Sequence, residues 1–245
     1  MVCIVYMTEK PRLNDPVLIE GLPGIGFVAN IAALHLLKEL NMKKFAKIFS
    51  SSFQDFVIST EEGGYRLPIN ELYYYKGKRG ERDAIVLYGN TQALTSRGQY
   101  ELCGRILDIA QSLGCNYVIT MGGLRVDGQV VHPRLRCAAT DHETLCNVLG
   151  MGVEVLTGHI YGAAGVLLGL AKLRGMKGFC VLAETPGFYP DPAAAKEVLK
   201  LVCRVLGWEL DLSKLDEAAE ATREMLRNVG LVREEEEKKA FHGLV

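Results

Sequence analysis

Three sets of residues in this 245-residue chain have types that chemistry uses. The first is Gly21-Leu22-Pro23-Gly24-Ile25-Gly26, between an apolar strand-like run and an alanine- and leucine-rich helix-like run. Glycine turns in that position can aim backbone N–H groups at a phosphate near a helix N-terminus. Neither GxxxxGK[ST] nor GxGxxG is present, Pro23 removes one N–H, and Glu20 just before the turn would repel an anion. A structural turn is the stronger reading, with Gly24 and Gly26 kept as pocket candidates. The second set is His132, Cys137, His142 and Cys146, at intervals of five, five and four. These types ligate zinc, but the row crosses from a strand into a helix and contains no CxxC pair, so no metal and no cofactor are expected. The third set, Asn90, Gln92, Arg97, Tyr100 and Glu184, falls where strands end, the edge at which open α/β sheets bind ligands. Asn90 and Gln92 can equally satisfy loop backbone, with Thr95 or Ser96 capping the next helix. No GxSxG occurs, and Ser50-Ser51-Ser52 has no acid or histidine beside it, so a hydrolytic triad is unsupported.

Two stretches read as shape and assembly. Gly158, Gly162, Gly165 and Gly169 recur at steps of four, three and four, one face of a helix if it begins that early. Each interior glycine costs a helix roughly 1 kcal/mol relative to alanine, so close packing inside the fold is expected to offset it. The loop Glu184-Thr185-Pro186-Gly187-Phe188-Tyr189-Pro190-Asp191-Pro192 is stiffened by its prolines, and Asp191 is placed to cap a helix whose first turn accepts Pro192. Phe188 and Tyr189 on such a loop are partner-contact candidates, because aromatics on a preordered backbone lose little entropy on binding.

The elements that must position these groups alternate along the chain. Residues 1–7 and 17–20 read as strands, and a helix follows to about Leu40. Residues 43–51, 56–60, 65–68 and 69–76 are aromatic and β-branched, with breakers such as Glu61-Glu62-Gly63-Gly64 between them, which suggests a hairpin-rich antiparallel insertion. From Ala84 onward strands at 84–88, 117–121, 135–139, 153–156 and 178–183 alternate with helices at 96–113, from Asp141, over the glycine stripe, and at 192–206. Parallel βαβ crossovers are the natural reading. The expected fold is a single α/β domain over residues 1–230, three layers deep, with a mixed, mostly parallel sheet and helices on both faces. Residues 211–229 are read as a last amphipathic helix with Leu215, Ala218, Thr222, Met225, Leu226 and Val229 inward, ended by Gly230, and residues 231–245 as a charged, flexible tail.

Composition narrows the partners. With 28 basic and 29 acidic residues the net charge is -1, which gives no electrostatic reason to expect nucleic acid or an anionic membrane. The longest apolar run falls short of the ~20 residues a bilayer span requires, and the N-terminus does not read as a secretion signal. Seven cysteines, odd in number and mostly in apolar segments, read as reduced buried thiols. A cytoplasmic location is expected.

Taken in order, PVLIEGLPGIGFVAN, LYGNTQALTSRGQYELCGRILDIAQSLGC, MGGL and GAAGVLLGLAKLRGMKGFCVLAETPGFYPDPAAAKEVL resemble the archaeal branch of the proteasome assembly chaperone 2 family, over residues 17 to about 206. The resemblance implies a phosphorylase/hydrolase-like three-layer fold without that class's catalytic apparatus, homo-oligomeric assembly, and a non-enzymatic role toward 20S proteasome α subunits or a related chaperone. Some relatives end in a hydrophobic-tyrosine-any residue tail that docks between α subunits. Here the last residues are Gly243, Leu244 and Val245, with leucine in the tyrosine position, which favours a branch with a different or partnered role. Leu244 and Val245 join Phe188 and Tyr189 as partner-contact candidates. The competing expectation is a small-ligand protein, or a hydrolase- or phosphorylase-like enzyme, with a strand-end pocket at Gly24, Gly26, Asn90, Gln92, Arg97 and Glu184.

Overall fold

The computed structural model describes residues 3–78 and 80–228. In chain order its elements are β1 (Cys3–Met7), β2 (Val17–Gly21), α1 (Val28–Glu39), β3 (Lys43–Ser50), β4 (Ile58–Ser59), β5 (Tyr65–Arg66), β6 (Asn70–Tyr75), β7 (Ala84–Gly89), α2 (Ser96–Ser112), β8 (Tyr117–Arg125), β9 (Leu135–Ala139), α3 (His142–Leu149), β10 (Glu154–Val155), α4 (Gly162–Leu173), β11 (Lys177–Thr185), α5 (Pro192–Leu206) and α6 (Ser213–Asn228). A single 3-10 turn, Ile25–Phe27, precedes α1. Val229, Gly230 and the tail, with Leu244 and Val245, lie outside the described residues.

Strand order in the main sheet is β1-β3-β6-β7-β2-β8-β11-β9-β10, and β4 pairs with β5 apart from it. The centre, β7-β2-β8-β11, is parallel. On one flank β1, β3, β6 and β7 are antiparallel, so the strand-rich insertion widens the sheet, and only β4 and β5 stand off as a hairpin. On the other flank β9 runs antiparallel to β11, contrary to the expected run of parallel crossovers. The reason is connectivity: no helix lies between β8 and β9, so the chain must turn back at the end where β8 stops.

Alternation along the strands builds two cores. Val17 and Ile19 join the cluster under α1 and α5, whereas Leu18 faces the cluster under α2 and α4. Gly21 ends β2 where α1 crosses it: a Cβ there would lie 2.0 Å from the Cβ of Ala33. Side chains cap the helices that follow, with Thr95 accepting from Gly98 N–H, Asp141 from Thr144 N–H and Asp191 from Ala194 N–H. α6 packs on α5 through Leu215, Ala219 and Leu226, while Ala218 and Thr222 are half-buried and Met225 is exposed, so the buried stripe is narrower than the apolar pattern suggests.

The glycine-faced helix also departs from expectation. α4 begins at Gly162, and Gly158 lies before it in a loop with φ 113°, where glycine is favoured. Gly165 is needed, since a Cβ would lie 2.0 Å from the carbonyl oxygen of Ile160. Gly169 has open space beside it, so the stripe does not serve internal packing along its whole length.

One buried polar row crosses the centre of the sheet. Glu20 on β2 pairs in register with Thr120 on β8, which pairs with Cys180 on β11. The Glu20 carboxyl accepts from Leu22 N–H at 2.7 Å and from Met121 N–H at 3.4 Å. Burial outweighs those two hydrogen bonds and pushes its pKa up to about 7. Burial, helped by Glu20, likewise raises the thiols of Cys103 and Cys180. Because the folded carboxyl holds its proton more tightly than the unfolded one, the unfolded state binds fewer protons between the ordinary carboxyl value and about 7, and stability falls as pH rises through that window. Across the window the fall amounts to roughly 3 kcal/mol. Urea denaturation of wild type and Glu20→Gln at pH values from acid to slightly alkaline checks this. The wild type is expected to lose that much more than the variant, and parallel curves would show that Glu20 does not titrate in the window.

Candidate functional site

The loops leaving the parallel strands β2, β7, β8 and β11 meet at one edge of the sheet and are fastened to one another. After β2, the backbone enters the left-handed region at two successive residues, Gly26 (φ 61°) and Phe27 (φ 52°). Glycine tolerates this without cost, but a bulky residue such as Phe27 does not, and such outliers persist only where surrounding structure enforces them. Here Phe27 N–H donates to Gly24 carbonyl at 3.0 Å, and Asp191 N–H donates to Gly26 carbonyl at 2.9 Å. Asp191 therefore ties the first loop to the last while its side chain caps α5 and accepts from the Thr185 hydroxyl at 2.7 Å. Gly187 (φ 78°) sits against Ile25, and a Cβ there would lie 2.8 Å from its Cγ2.

Gln92, after β7, supplies the second fastening. Its Nε2 donates to the Pro23 carbonyl at 2.6 Å, and its Oε1 accepts from Ala163 N–H at 2.8 Å and from Gln99 Nε2 at 3.1 Å. One amide thus joins the turn after β2, the first turn of α4, and α2. A Cβ on Gly162 (φ 73°) would lie 2.7 Å from Gln92 Oε1, so glycine is required where α4 approaches this amide.

The sequence candidates divide. Gln92 is brought against the turn that holds Gly24 and Gly26. Gly24 is extended, with open space beside it, whereas a Cβ on Gly26 would lie 3.0 Å from Thr185 Oγ1. Asn90 bonds the chain before β6, its N–H to Ile69 carbonyl at 3.1 Å and its Oδ1 from Ile69 N–H at 2.8 Å. Arg97 is exposed in the first turn of α2. Glu184 is buried and committed to two arginines, Arg134 Nε at 3.0 Å and Arg136 Nη2 at 3.2 Å, which Glu154 also approaches. Among the described residues no hydrogen bond joins Glu184 to Asn90, Gln92 or Arg97. In the turn after β2, Leu22 N–H is turned inward to Glu20 and Phe27 N–H to Gly24, so those two are not offered to an anion.

The histidine and cysteine row likewise stays apart. Cys137 is buried under the helices, and Cys146 is exposed on α3 with its sulfur 3.4 Å from His142 Nε2. Among the described residues no three His, Cys, Asp or Glu side chains converge on a metal-sized site. Five of the seven cysteines are buried, Cys3 is half-buried, and all are free thiols.

What this edge does present is apolar side chain. Phe188 is 74% exposed, with the Arg125 guanidinium 4.2 Å from its ring centroid, and Ile25 (43%) and Phe27 (46%) stand out on the neighbouring loop. Tyr189, the other aromatic of the proline-rich loop, turns into a separate groove beside α6. Ile25, Phe27 and Arg125 escaped the sequence reading. The signal for the first two was an apolar pair inside a glycine turn, where a buried residue is the usual assumption. Replacing Gln92 with leucine keeps the bulk and removes the fastening, leaving Pro23 carbonyl and Ala163 N–H unpaired. We expect a loss of about 2–4 kcal/mol in chemical denaturation and faster hydrogen exchange in the turn after β2 and at the start of α4. Unchanged stability and exchange would show that Gln92 fastens nothing.

Comparison with known proteins places this architecture. The PAC2 family pattern matches residues 18–229. An uncharacterized protein of Methanocaldococcus jannaschii, MJ1210, is 35% identical over 98% of this chain and 94% of its own length. The crystal structure of Pyrococcus furiosus PbaB, an archaeal proteasome activator, superposes with a TM-score of 0.88 at 40% identity, covering 93% of this chain and 98% of that one. Pyrococcus furiosus PbaA, an archaeal homolog of proteasome-assembly chaperone, superposes with a TM-score of 0.76 at 27% identity, covering 93% and 96%. With a family match across most of its length and the same α/β fold in these relatives, the chain belongs to the PAC2 family.

Proposed function

We propose that this chain is a non-enzymatic, cytoplasmic, homo-oligomeric factor of the proteasome, which binds 20S α subunits or a partner chaperone through the loop edge bearing Ile25, Phe27 and Phe188. The observation that carries the reading is the combination at that edge of exposed large apolar side chains and interlocked backbone. Phe188 is 74% exposed, and Ile25 and Phe27 stand part-exposed on the neighbouring loop, so large apolar side chains lie together on an ordered edge. A partner that covers them would remove their apolar area from water while little loop entropy is lost, because Gln92 and Asp191 already order the loops. The activator and chaperone-homolog descriptions of PbaB and PbaA support the choice of partner. Glu184, Asn90 and Gln92 serve this reading as scaffold, since each is engaged by neighbouring protein groups.

Pull-down and native mass measurement with 20S α subunits test it. Phe188→Ala, at an exposed ring whose loss should leave the fold intact, is expected to weaken association by about 10- to 100-fold, the range for an aromatic anchor. Wild-type protein that binds no α subunit and does not alter assembly, or a Phe188→Ala variant that binds as wild type, would remove this face from the account.

A further inference from the structure

The nine-stranded sheet ends on two edges that are guarded differently. An edge strand offers unpaired N–H and C=O groups to any second strand, and native proteins blunt such edges with short length, charge or proline. One edge, β10, is two residues long and carries Glu154, which is paired with Arg134 and Arg136. At the other edge β1 is five residues, Cys-Ile-Val-Tyr-Met, with neither charge nor proline, and it pairs with β3 on one side only. Among the described residues no backbone hydrogen bond reaches its outer side. Cys3 and Val5 pack on the cluster under α2 and α4, while Ile4, Tyr6 and Met7 are exposed. A depression of about 250 Å³ joins Ile4 to Phe49, Phe53, Leu67 and Pro68, and no charged side chain lines it. Leu67 leaves the β4–β5 hairpin, where Phe56, Val57 and Tyr65 are exposed as well. The seven exposed side chains of this strand and hairpin are each 43% to 74% exposed. With roughly 150–250 Å² for a large side chain, they leave on the order of 700 Å² uncovered, above the ~300–600 Å² of the largest apolar patch on a typical monomer and close to the ~800 Å² that each partner gives to a standard interface.

We propose that β1 is the pairing edge for a second copy of this chain, joined to it antiparallel about a two-fold axis at Val5. In that register Ile4 faces the partner's Tyr6, a β-branched and aromatic pair of the kind that stabilises sheets, and Cys3 faces the partner's Met7. The antiparallel direction carries the partner's Tyr6 and Met7 toward the end of β1 where Ile4 and Leu67 line the depression. A two-fold contact sets a surface against itself, so a charge near its centre would meet its own sign. β1 has none, which fits it to a copy of itself. Lys47 stands across from Tyr6 on β3, one strand further in. Its two copies would be three strand spacings apart, ~14 Å, beyond the ~8 Å Debye length at physiological salt. With a net charge of -1, two whole chains repel each other weakly. The pairing supplies an interface for the homo-oligomer of the proposed function and in that respect rests on that reading, whereas the contact with α subunits uses the loop edge, a separate surface.

Native mass measurement and sedimentation of the full chain, with no proteasome subunit present, test the pairing through a charge exchange. Wild type is expected to form assemblies with an even number of copies. In the double variant Ile4→Lys, Tyr6→Lys each new charge faces its own sign across the axis, as it does in Ile4→Glu, Tyr6→Glu. Each variant alone is expected to associate about 100-fold or more weakly than wild type. Mixed in equal amounts, the two variants are expected to associate again, because every facing pair is then of opposite sign. Both positions are exposed, and urea denaturation close to that of wild type reports that each variant is folded. Monomeric wild type, variants that assemble as wild type does, or a mixture that stays monomeric overturns the pairing. Assembly unchanged in both variants removes this interface while leaving the homo-oligomer and the α-subunit contact standing, and α-subunit binding that fails the Phe188→Ala test leaves the β1 pairing standing.

Discussion

The side-chain amide of Gln92 is where the loops of this fold meet. The Pro23 carbonyl requires a donor and the Ala163 N–H an acceptor, so the amide has one orientation that satisfies both, and Gln99 takes the remaining capacity of its oxygen. Parallel strands deliver their carboxyl ends to one edge, and the connections leaving them must cross without stranding buried backbone groups. Gln92 and Asp191 do this work for the loops that follow β2, β7 and β11. Glycine recurs around them for the same reason: Gly21, Gly162 and Gly187 stand where a Cβ would strike Ala33, Gln92 or Ile25.

That economy of space leaves large apolar side chains on the outside of the edge. Polar groups that a sequence search selects, Gln92, Asn90 and Glu184, are engaged with neighbouring backbone or arginines. Side chains of Ile25, Phe27 and Phe188 are what the fastened loops leave outside. Beneath them, the row of Glu20, Thr120 and Cys180 buries a carboxyl within the sheet, with backbone N–H groups as its partners. A carboxyl so placed favours its neutral form, because desolvation of the charge exceeds what two N–H groups return.

Much of the architecture was legible because local patterns agreed with it. The strand-turn-helix at Glu20 to Phe27, the caps at Thr95 and Asp191, the short helix near Asp141, and the two helical layers follow from residues whose preferences are local. Less legible was the direction of β9, which depends on the absence of a crossover helix, and the inward face of α6, where Ala219 is buried and Met225 is not. Apolar periodicity names a face to within about one residue in a turn, and the partner helix decides which residue of that face is covered.

The sequence by itself determined the fold class and the capped and prolinated loop that carries Phe188, since these depend on residue types and short spacings. Tertiary structure alone decided that Phe188 faces solvent while Tyr189 turns toward α6, that Gln92 is a fastening, and that Glu184 belongs to Arg134 and Arg136. Those outcomes rest on contacts between residues tens of positions apart, and a side chain's partner across such a distance is set by where the strands and helices have placed it.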